Sequence, residues 1–534
     1  MMRRTIFIAW LAAVPAIYAA DPPAGIYGVY NEAHLGSVNI APGSNMVIFS
    51  ANLPVGPQVP RTHADFPLVT ALAGVSVRVT VAGVSLDAYV LGAGTQWVRA
   101  MLPASTPLGD GILVVTYNGK SSVPYRLPVR AQGFAVYSGS WCGEGFRPSN
   151  ASFCIDRAVQ NIDAAGTVSS NSLVVPARPG QLVTLWGSGL GFAPGDEAAG
   201  PIPGPLQIPG FQVLLGGQPA KIVYSGRSGC CAGMDQVIFE VPPGIEGCNV
   251  PVWVRYSEDG YTPEDVYVSI ASGTGACSDP HGLSELEVQK LYAGNLRTAE
   301  VSFSGSYWSA AVSTIQQTSV IPFGSCAHSW GGGLAAVPNV NSLSNAGVAL
   351  NLRTPRGIFT AARDENGYYN GPFDGVVEPG EYRLDNGAGG PGLGPFDAGV
   401  SLPAAAIQWT NRNEFGRPVA DGLTISWRVA DPSEGHIEIF GKLGEDGVTD
   451  GATLFACTER PSNGSFTIPR AVLERAGVWS GKFNEFYLSV GLRVTRRISI
   501  PGLDFAEFVI ADSAEAKTID PATLASPNAA QARR

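Results

Sequence analysis

Hydrophobic and polar residues alternate strictly in several short segments of this chain. Between Val75 and Val81 valines alternate with Ser, Arg and Thr, and between Leu423 and Val429 large apolar residues alternate with polar ones. A period of two places alternate side chains on opposite faces of a strand, so both segments are predicted to be half-buried β-strands. The run 112–117 ends at Asn118-Gly119, a pair typical of tight hairpin turns.

The same order of motifs occurs twice along the chain. Ala41-Pro42-Gly43 and Arg178-Pro179-Gly180 each precede an apolar run, and a valine- or leucine-rich strand followed by Gly83 matches one followed by Gly217. The spacing between the two copies changes by only a few residues, as loop insertions and deletions produce. The pattern therefore predicts a duplicated β module.

One short helix interrupts the strands. Ser284 and Glu287 form a capping box at its start, and Gly294 is suited to end it. Few helices and many short strands are typical of all-β proteins, and modules of about 100 residues match the size of immunoglobulin-like β-sandwiches. The predicted organisation is a signal peptide (1–20), a β-sandwich (25–135), a connector with a cysteine pair (136–165), a second β-sandwich (166–273), a β-rich domain (283–405), a further β-sandwich (406–515) and a disordered tail (516–534).

The N-terminus has the pattern of an export signal. Arg3 and Arg4 precede an apolar run over 6–17, which small residues follow. This pattern predicts a secretory signal peptide. A membrane anchor is the alternative, but the run is short for a bilayer and Pro15 interrupts it. No later segment offers the roughly 20 apolar residues of a membrane helix. We therefore predict a secreted protein, extracellular or at the cell surface, with the periplasm as the other destination.

Composition narrows the class of protein further. Hydrophobic residues make up 45% of the chain and charged residues 15%, so the chain is predicted to fold despite its 66 Gly and 41 Pro. The net charge is −10, and no basic cluster is present. Nucleic acid is therefore a poor candidate partner.

The cysteine content fits an oxidising compartment. No Cys-x-x-Cys occurs and the five histidines are scattered, so disulfides are favoured over a metal site. Cys142 with Cys154 and Cys326 with Cys457 are the predicted pairs. The remaining cysteines gather around the second repeat with their pairing open: Cys230, Cys231, Cys248 and Cys277.

The repeated motifs resemble those of IPT/TIG-type immunoglobulin-like domains, and more closely those of uncharacterised secreted bacterial proteins with an acidobacterial, Solibacter-type C-terminal domain. The resemblance covers under half of the chain. It implies an exported β protein without established catalytic residues or cofactors, and a role in cell-surface recognition, spacing or support of a neighbouring domain. The residues that carry it are Ala41-Pro42-Gly43-Ser44, Phe49 to Leu53, Leu102-Pro103 before Gly109-Asp110-Gly111, Arg178-Pro179-Gly180, Leu185 to Gly191 and Asp235 to Phe239.

Three motifs resemble catalytic or phosphate sites only superficially. The glycine-rich run 187–191 follows a strand, but Pro194 comes next where a phosphate-binding loop requires a helix, so a β turn is predicted. Ser228 lacks the spacing of a nucleophile elbow. His328 lies near Cys326, but an exported cysteine is usually oxidised, so a disulfide beside a loop histidine is predicted rather than a Cys/His nucleophile.

Acidic and aromatic residues between Trp308 and Asp397 are the remaining candidates. The acids allow three interpretations: turn residues, a calcium site at Asp364, Asp374 and Asp385, or a carboxylate pair for glycoside hydrolysis. The aromatic candidates for ligand binding are Trp308, Trp330, Tyr368 and Tyr369, with core packing as the alternative. Adjacent residues on a strand face opposite ways, so Tyr368-Tyr369 is the best candidate for an exposed ring.

The first hypothesis is a non-enzymatic binding or spacer protein whose partner is an unknown protein or carbohydrate at the cell surface. The alternatives are an exported, carbohydrate-active hydrolase with its site in 295–515, and a structural subunit of a surface assembly. We expect the repeats to be scaffold, and the unrepeated region after Gly282 to carry the specific function.

Overall fold

The computed structural model describes residues 25–137, 159–315, 321–329, 340–414, 422–444, 454–479 and 485–519, apart from positions 36, 38, 52, 258–259, 263–265, 279, 281 and 305. The predicted signal peptide, the Cys142–Cys154 pair, Trp330 and residues 520–534 of the predicted tail lie outside the described residues.

The fold class predicted from the sequence is confirmed: the chain is all-β and built from tandem sandwiches. The predicted helix forms as α1 (Glu285–Tyr292), and its capping box between Ser284 and Glu287 is present. A second short helix, α2 (Arg470–Ala476), begins directly after Pro469 and ends at Gly477 in the left-handed conformation. In the part of the chain that the structure describes, every other element apart from two 3-10 turns (Arg412–Glu414 and Pro461–Asn463) is a strand.

The first module comprises residues 25–129. The valines of its strand β5 are at most 1% exposed, which confirms the half-buried strand predicted from their alternation. Its strands are β1 (Gly25–Asn31), β2 (Asn45–Ala51), β3 (Arg61–Thr62), β4 (Ala71–Leu72), β5 (Val75–Val81), β6 (Val84–Gly94), β7 (Trp97–Met101), β8 (Gly109–Tyr117), β9 (Lys120–Ser121) and β10 (Tyr125–Val129).

The second module comprises residues 135–270, with a hydrophobic cluster of its own. Its strands are β11 (Ala135–Val136), β12 (Val159–Ile162), β13 (Val168–Ser170), β14 (Leu182–Ser188), β15 (Gly204–Pro205), β16 (Gln212–Leu215), β17 (Gln218–Arg227), β18 (Asp235–Glu240), β19 (Gly247–Arg255) and β20 (Val266–Ile270).

The two modules share one topology. Neighbouring strands run β1-β2-β7-β6-β5-β8-β10 in the first and β12-β14-β18-β17-β16-β19-β20 in the second. If the seven main strands of each are lettered A to G, both orders are A-B-E-D-C-F-G. Strands A, B, E and D on one sheet and C, F and G on the other is the arrangement of constant-type immunoglobulin domains. The repeat of motifs in the sequence therefore corresponds to a repeat of the whole strand order.

The third region, residues 285–519, is unrepeated. Its strands are β21 (Leu296–Ser304), β22 (Tyr307–Ile315), β23 (Ser325–Ser329), β24 (Val340–Leu343), β25 (Ala349–Thr354), β26 (Gly357–Arg363), β27 (Tyr369–Pro372), β28 (Gly380–Asp385), β29 (Asp397–Leu402), β30 (Ile407–Trp409), β31 (Gly422–Val429), β32 (His436–Gly444), β33 (Leu454–Glu459), β34 (Ser465–Pro469), β35 (Glu485–Arg497) and β36 (Phe505–Ile519).

One hydrogen-bonded path crosses the boundary predicted at 405/406, because β36 pairs in parallel with β21 and antiparallel with β35. The two sides nevertheless keep separate hydrophobic clusters. One lies among β21, β22, β25–β29 and β36, and the other lies between β32, β33 and β35 and the three-stranded sheet β30-β31-β34. The predicted division follows the cores rather than the sheet, and the boundary itself stays a prediction. The last strand extends to Ile519, past the predicted start of the tail at 516.

The third region packs directly against the second module. Leu214 and Trp253 of the second module belong to the same hydrophobic cluster as β32, β33 and β35. The Arg475 guanidinium lies 4.8 Å from the centroid of the Trp253 ring, and the Arg255 guanidinium lies 3.4 Å from the Glu474 carboxylate. No helix in the described ranges is long and apolar enough to cross a bilayer.

Candidate functional site

The structure buries two of the aromatic residues predicted to bind a ligand. Trp308 and Tyr369 are both 0% exposed within the core of the third region. The Tyr369 hydroxyl donates to the Gly347 carbonyl at 3.0 Å and accepts from the Ala346 N–H at 2.8 Å. A ring enclosed in this way cannot stack on a ligand from solvent, so these two assignments are corrected to core residues. Tyr368 is 40% exposed and remains a predicted contact.

The acidic candidates are tied to partners within their own loops. Asp364 accepts hydrogen bonds from the Tyr368 N–H and the Asn370 amide. Asp374 pairs with Arg356, whose hydrogen bond lowers the pKa of the carboxyl. Asp385 pairs with Arg353 at 3.0 Å. Among the described residues no group of three His, Cys, Asp or Glu side chains is placed to hold a metal ion. The calcium assignment stays a prediction, without support from this arrangement.

The described cysteines are all in disulfides. Cys326 and Cys457 pair across strands β23 and β33, as predicted, and Cys248 pairs with Cys277. The Cys326 sulfur is therefore no nucleophile. His328 is buried, and burial followed by the nearby Arg475 lowers its pKa to about 2. The disulfide beside His328 agrees with the prediction, but His328 lies on strand β23 and not on a loop as predicted. A neutral, enclosed imidazole in this position is a structural group.

The glycine-rich run 187–191 holds a carboxylate of the protein itself. The Gly189 N–H and the Leu190 N–H each donate to Oδ2 of Asp235 at 2.7 Å. Gly189 has a φ of 111°, and a Cβ there would lie 2.4 Å from the Gly133 carbonyl oxygen. Only glycine fits this conformation and this close approach. The loop therefore offers its donors to Asp235 and not to a phosphate.

Asp235 also forms a buried ion pair at the junction, the contact between the first and second modules. Its Oδ1 lies 2.6 Å from Nη1 of Arg227, and the two side chains are 0% and 8% exposed. Burial raises the pKa of Asp235, and Arg227 and the two N–H donors oppose that rise. Nη2 of Arg227 donates to the Gly191 carbonyl at 2.7 Å and to the Pro42 carbonyl of the first module at 3.3 Å. One guanidinium therefore joins both modules.

Neutral polar side chains extend this junction. The Asn31 amide donates to the Gly133 and Ser188 carbonyls, both at 2.9 Å. The Asn45 N–H donates to the Ser188 hydroxyl at 2.9 Å, and that hydroxyl donates to the Gly233 carbonyl at 2.9 Å. These contacts join β1 and β2 of the first module to β14 and to the loop before β18.

A disulfide between adjacent residues, Cys230 and Cys231, lies in that same loop. Both residues are exposed, and the next residue, Ala232, packs near Met101 of the first module and accepts a hydrogen bond from the Asn45 amide at 2.9 Å. The Ser228 side chain, the former nucleophile candidate, is buried and hydrogen-bonded to this loop. The loop is therefore part of the junction and not an active site.

A cleft of about 560 Å³ opens beside the Arg227–Asp235 pair. The first module contributes Pro42 and residues 104–108, and the segment between the modules contributes 131–132. The second module contributes residues from 190–194 and 205–208. Phe192 is 58% exposed and Leu108 is 54% exposed. This cleft lies at a domain interface, a place where ligand sites often occur.

Sequence reasoning missed the junction entirely. Arg227 belongs to none of the motifs described above, and Asp235 is only the first residue of a strand motif. The sequence offers one indication of the ion pair: an Arg ends one strand and an Asp begins the next. Charged residues at such positions either face solvent or pair with each other. Arg227 and Asp235 are only 8 residues apart, but the bond from Arg227 to Pro42 joins residues 185 apart, and no local pattern indicates it.

No family model and no curated protein matches this chain. Among solved structures, the chain is similar to SGBP-B of the Bacteroides ovatus mixed-linkage glucan utilization locus, which was solved in complex with a mixed-linkage heptasaccharide. The identity is 10% and the TM-score is 0.13, and the match covers 78% of this chain and 94% of that one. Domains from titin match at 10% identity and a TM-score of 0.14, and the match covers 68% of this chain and 92% of that one. A protein of unknown function from Bacteroides thetaiotaomicron matches at 11% identity and a TM-score of 0.15, and the match covers 69% of this chain and 96% of that one. Scores of this size support no argument about function, and the immunoglobulin-like architecture stated above rests on the strand order of this chain.

Proposed function

We propose that this protein is a secreted or cell-surface, non-enzymatic binding and spacing protein, in which two immunoglobulin-like modules and the third region are held in one fixed arrangement. The observation that carries the proposal is the buried Arg227–Asp235 pair with its bond to Pro42 across the junction. Arg227 and Asp235 both belong to the second module, and burying their charges is costly unless their donors and acceptors are satisfied. The Pro42 carbonyl of the first module supplies one of the acceptors that Arg227 needs.

The rest of the junction supports a fixed arrangement. The Glu197 carboxylate of the second module accepts from the Ala104 N–H at 2.5 Å, and the Leu68 N–H donates to the Ala198 carbonyl at 2.8 Å. Two modules joined only by a polar interface of the transient type are expected to move relative to each other. Directional hydrogen bonds from several loops define one relative orientation instead.

Export is supported by the disulfides and by the N-terminal pattern. Cys248–Cys277 and Cys326–Cys457 fit an oxidising compartment. The similarity of the repeated motifs to IPT/TIG-type domains supports a role in recognition or spacing at the cell surface. The arginine partners of Asp374 and Asp385 argue against the carbohydrate-active hydrolase, because a carboxylate held by an arginine is a poor general acid.

Small-angle X-ray scattering of the chain lacking residues 1–20 tests the spacing function. We expect one arrangement of residues 25–519 to account for the scattering. Data that require the first and second modules to move independently would contradict the proposal. In parallel, incubation of the protein with a panel of polysaccharides should release no new reducing ends. Release of such ends would support the alternative hypothesis of a carbohydrate-active hydrolase.

A further inference from the structure

We infer that the cleft between the first two modules binds an uncharged carbohydrate, with the ring of Phe192 as its stacking platform. The inference rests on the proposed function, because both modules contribute walls to the cleft. It assigns the ligand site to the junction, and not to the unrepeated region where the sequence-based hypothesis expected it.

The cleft has the volume of a small-ligand site. Its volume of about 560 Å³ falls within the roughly 300–1,000 Å³ of typical ligand pockets. Its floor is held in place by the junction: Leu190 donates its N–H to Asp235, and the carbonyl of Pro42 accepts from Arg227. The walls are therefore held in place before a ligand binds. Little of the binding free energy is then spent on ordering the protein.

The lining excludes charged ligands. None of the fifteen residues around the cleft is charged, and its polar side chains are the amides of Gln132 and Gln207 and the hydroxyls of Ser105 and Thr106. An ion that enters such a site loses hydration without meeting an opposite charge. Amides both donate and accept, as do hydroxyls, so they suit a ligand whose polar groups are themselves hydroxyls.

The lining also disfavours an extended peptide. A peptide that binds along a groove needs backbone N–H and C=O partners from the wall. Pro42, Pro107, Pro194 and Pro205 line this cleft, and proline has no backbone N–H to offer. A proline-rich ligand would instead need a row of aromatic residues, and Phe192 is the one aromatic residue among the lining residues.

A neutral sugar matches what remains. The C–H face of a pyranose ring is apolar, and its rim carries hydroxyls. Phe192, 58% exposed beside the apolar side chains of Leu206 and Ile208, supplies a flat surface for such a face. Gln132, from the segment between the modules, and Gln207, from the second module, supply the amides for its rim.

The test begins with an array of neutral and acidic oligosaccharides, on which we expect neutral members to bind. Calorimetry with the best neutral hexasaccharide then compares the wild type with two cleft variants. Phe192→Ala should weaken binding by about tenfold or more, since it removes the stacking surface. Gln132→Ala should weaken binding by roughly 3- to 10-fold, the effect of one hydrogen bond. Because Phe192 is largely exposed, its truncation should leave the melting temperature unchanged.

Tyr307→Ala is the matched control, since Tyr307 is an exposed aromatic residue of the third region, 66% exposed. It should bind as the wild type does. The inference is overturned if no neutral sugar binds, if acidic sugars or a proline-rich decapeptide bind instead, or if Tyr307→Ala loses binding while Phe192→Ala keeps it. If no sugar on the array binds but the scattering fits one fixed arrangement of the modules, only this inference is overturned. If the scattering shows modules that move independently, the proposed function is overturned as well.

Discussion

Replacing Arg227 by Met tests whether the buried pair holds the first two modules together. Methionine keeps much of the length of the arginine side chain but removes the charge and the donors to Asp235, Gly191 and Pro42. Asp235 would stay buried with only the Gly189 and Leu190 N–H groups as partners. Removing one partner of a buried ion pair typically costs about 3–5 kcal/mol, because the other charge is left uncompensated.

Urea unfolding of the full chain, followed by tryptophan fluorescence, measures this cost. With a slope of about 2 kcal/mol per M, the transition that involves the junction should move to lower urea by roughly 1.5–2.5 M. Asp235→Asn in the Arg227→Met background should recover part of the loss, since it removes the unpaired charge. We also expect the first module to unfold in a transition of its own once the shared guanidinium is gone.

Arg78→Met is the matched control. Arg78 forms an ion pair with Asp87 across neighbouring strands of the first module, with the two side chains 64% and 39% exposed. Solvent screens such a pair, so this variant should unfold as the wild type does. If Arg227→Met and Arg78→Met have the same unfolding profile, the buried pair does not stabilise the junction and the reasoning above is refuted.

Two further predictions concern the junction loop and the third region. Replacing Cys230 and Cys231 together by Ser should leave the fold intact but increase amide hydrogen exchange over residues 228–234, because the two adjacent residues lose the small covalent ring that restricts their backbone. Unchanged exchange there would contradict a role for the disulfide in holding the loop. Burial raises the pKa of Asp504, but bonds from Lys290 and the Arg297 N–H outweigh it and the net shift is downward. Asp504 therefore contributes stability above its unfolded pKa that is lost as pH falls through the folded pKa. Asp504→Asn should unfold with a shallower acid dependence than the wild type, and an identical dependence would refute this contribution.

The sequence predicts the modules well because their information is local. The alternation between Val75 and Val81 is complete within one strand, and the motifs before β2 and β14 mark the same strand in both copies. The helix at Glu285–Tyr292 is equally predictable from the sequence, since the hydrogen bonds of its capping box join residues three apart. Patterns of this kind need no knowledge of what the strand or helix packs against.

The aromatic residues show where local information ends. The adjacent Tyr368 and Tyr369 face opposite ways, as a strand requires, and the structure places Tyr369 in the core. The sequence gives the alternation but not which of the two faces the core, because that depends on how β27 pairs with β22 and β26. Trp308, on β22, is buried through the same pairing.

The junction explains why a buried ion pair suits this chain better than an apolar contact would. Apolar surfaces of matching size adhere in several orientations, whereas a hydrogen bond is directional. Asp235 and Gly191 hold the Arg227 guanidinium in place within the second module, so its remaining donor meets the Pro42 carbonyl of the first module from one direction. The relative position of the modules also sets the distance between residues 104–108 of the first module and Phe192 of the second, all of which line the cleft. A few degrees of rotation between the modules would move these walls relative to each other and change what fits between them. The desolvation cost of the pair is therefore offset by a cleft of defined shape, and the scaffold and the ligand site are parts of the same structure.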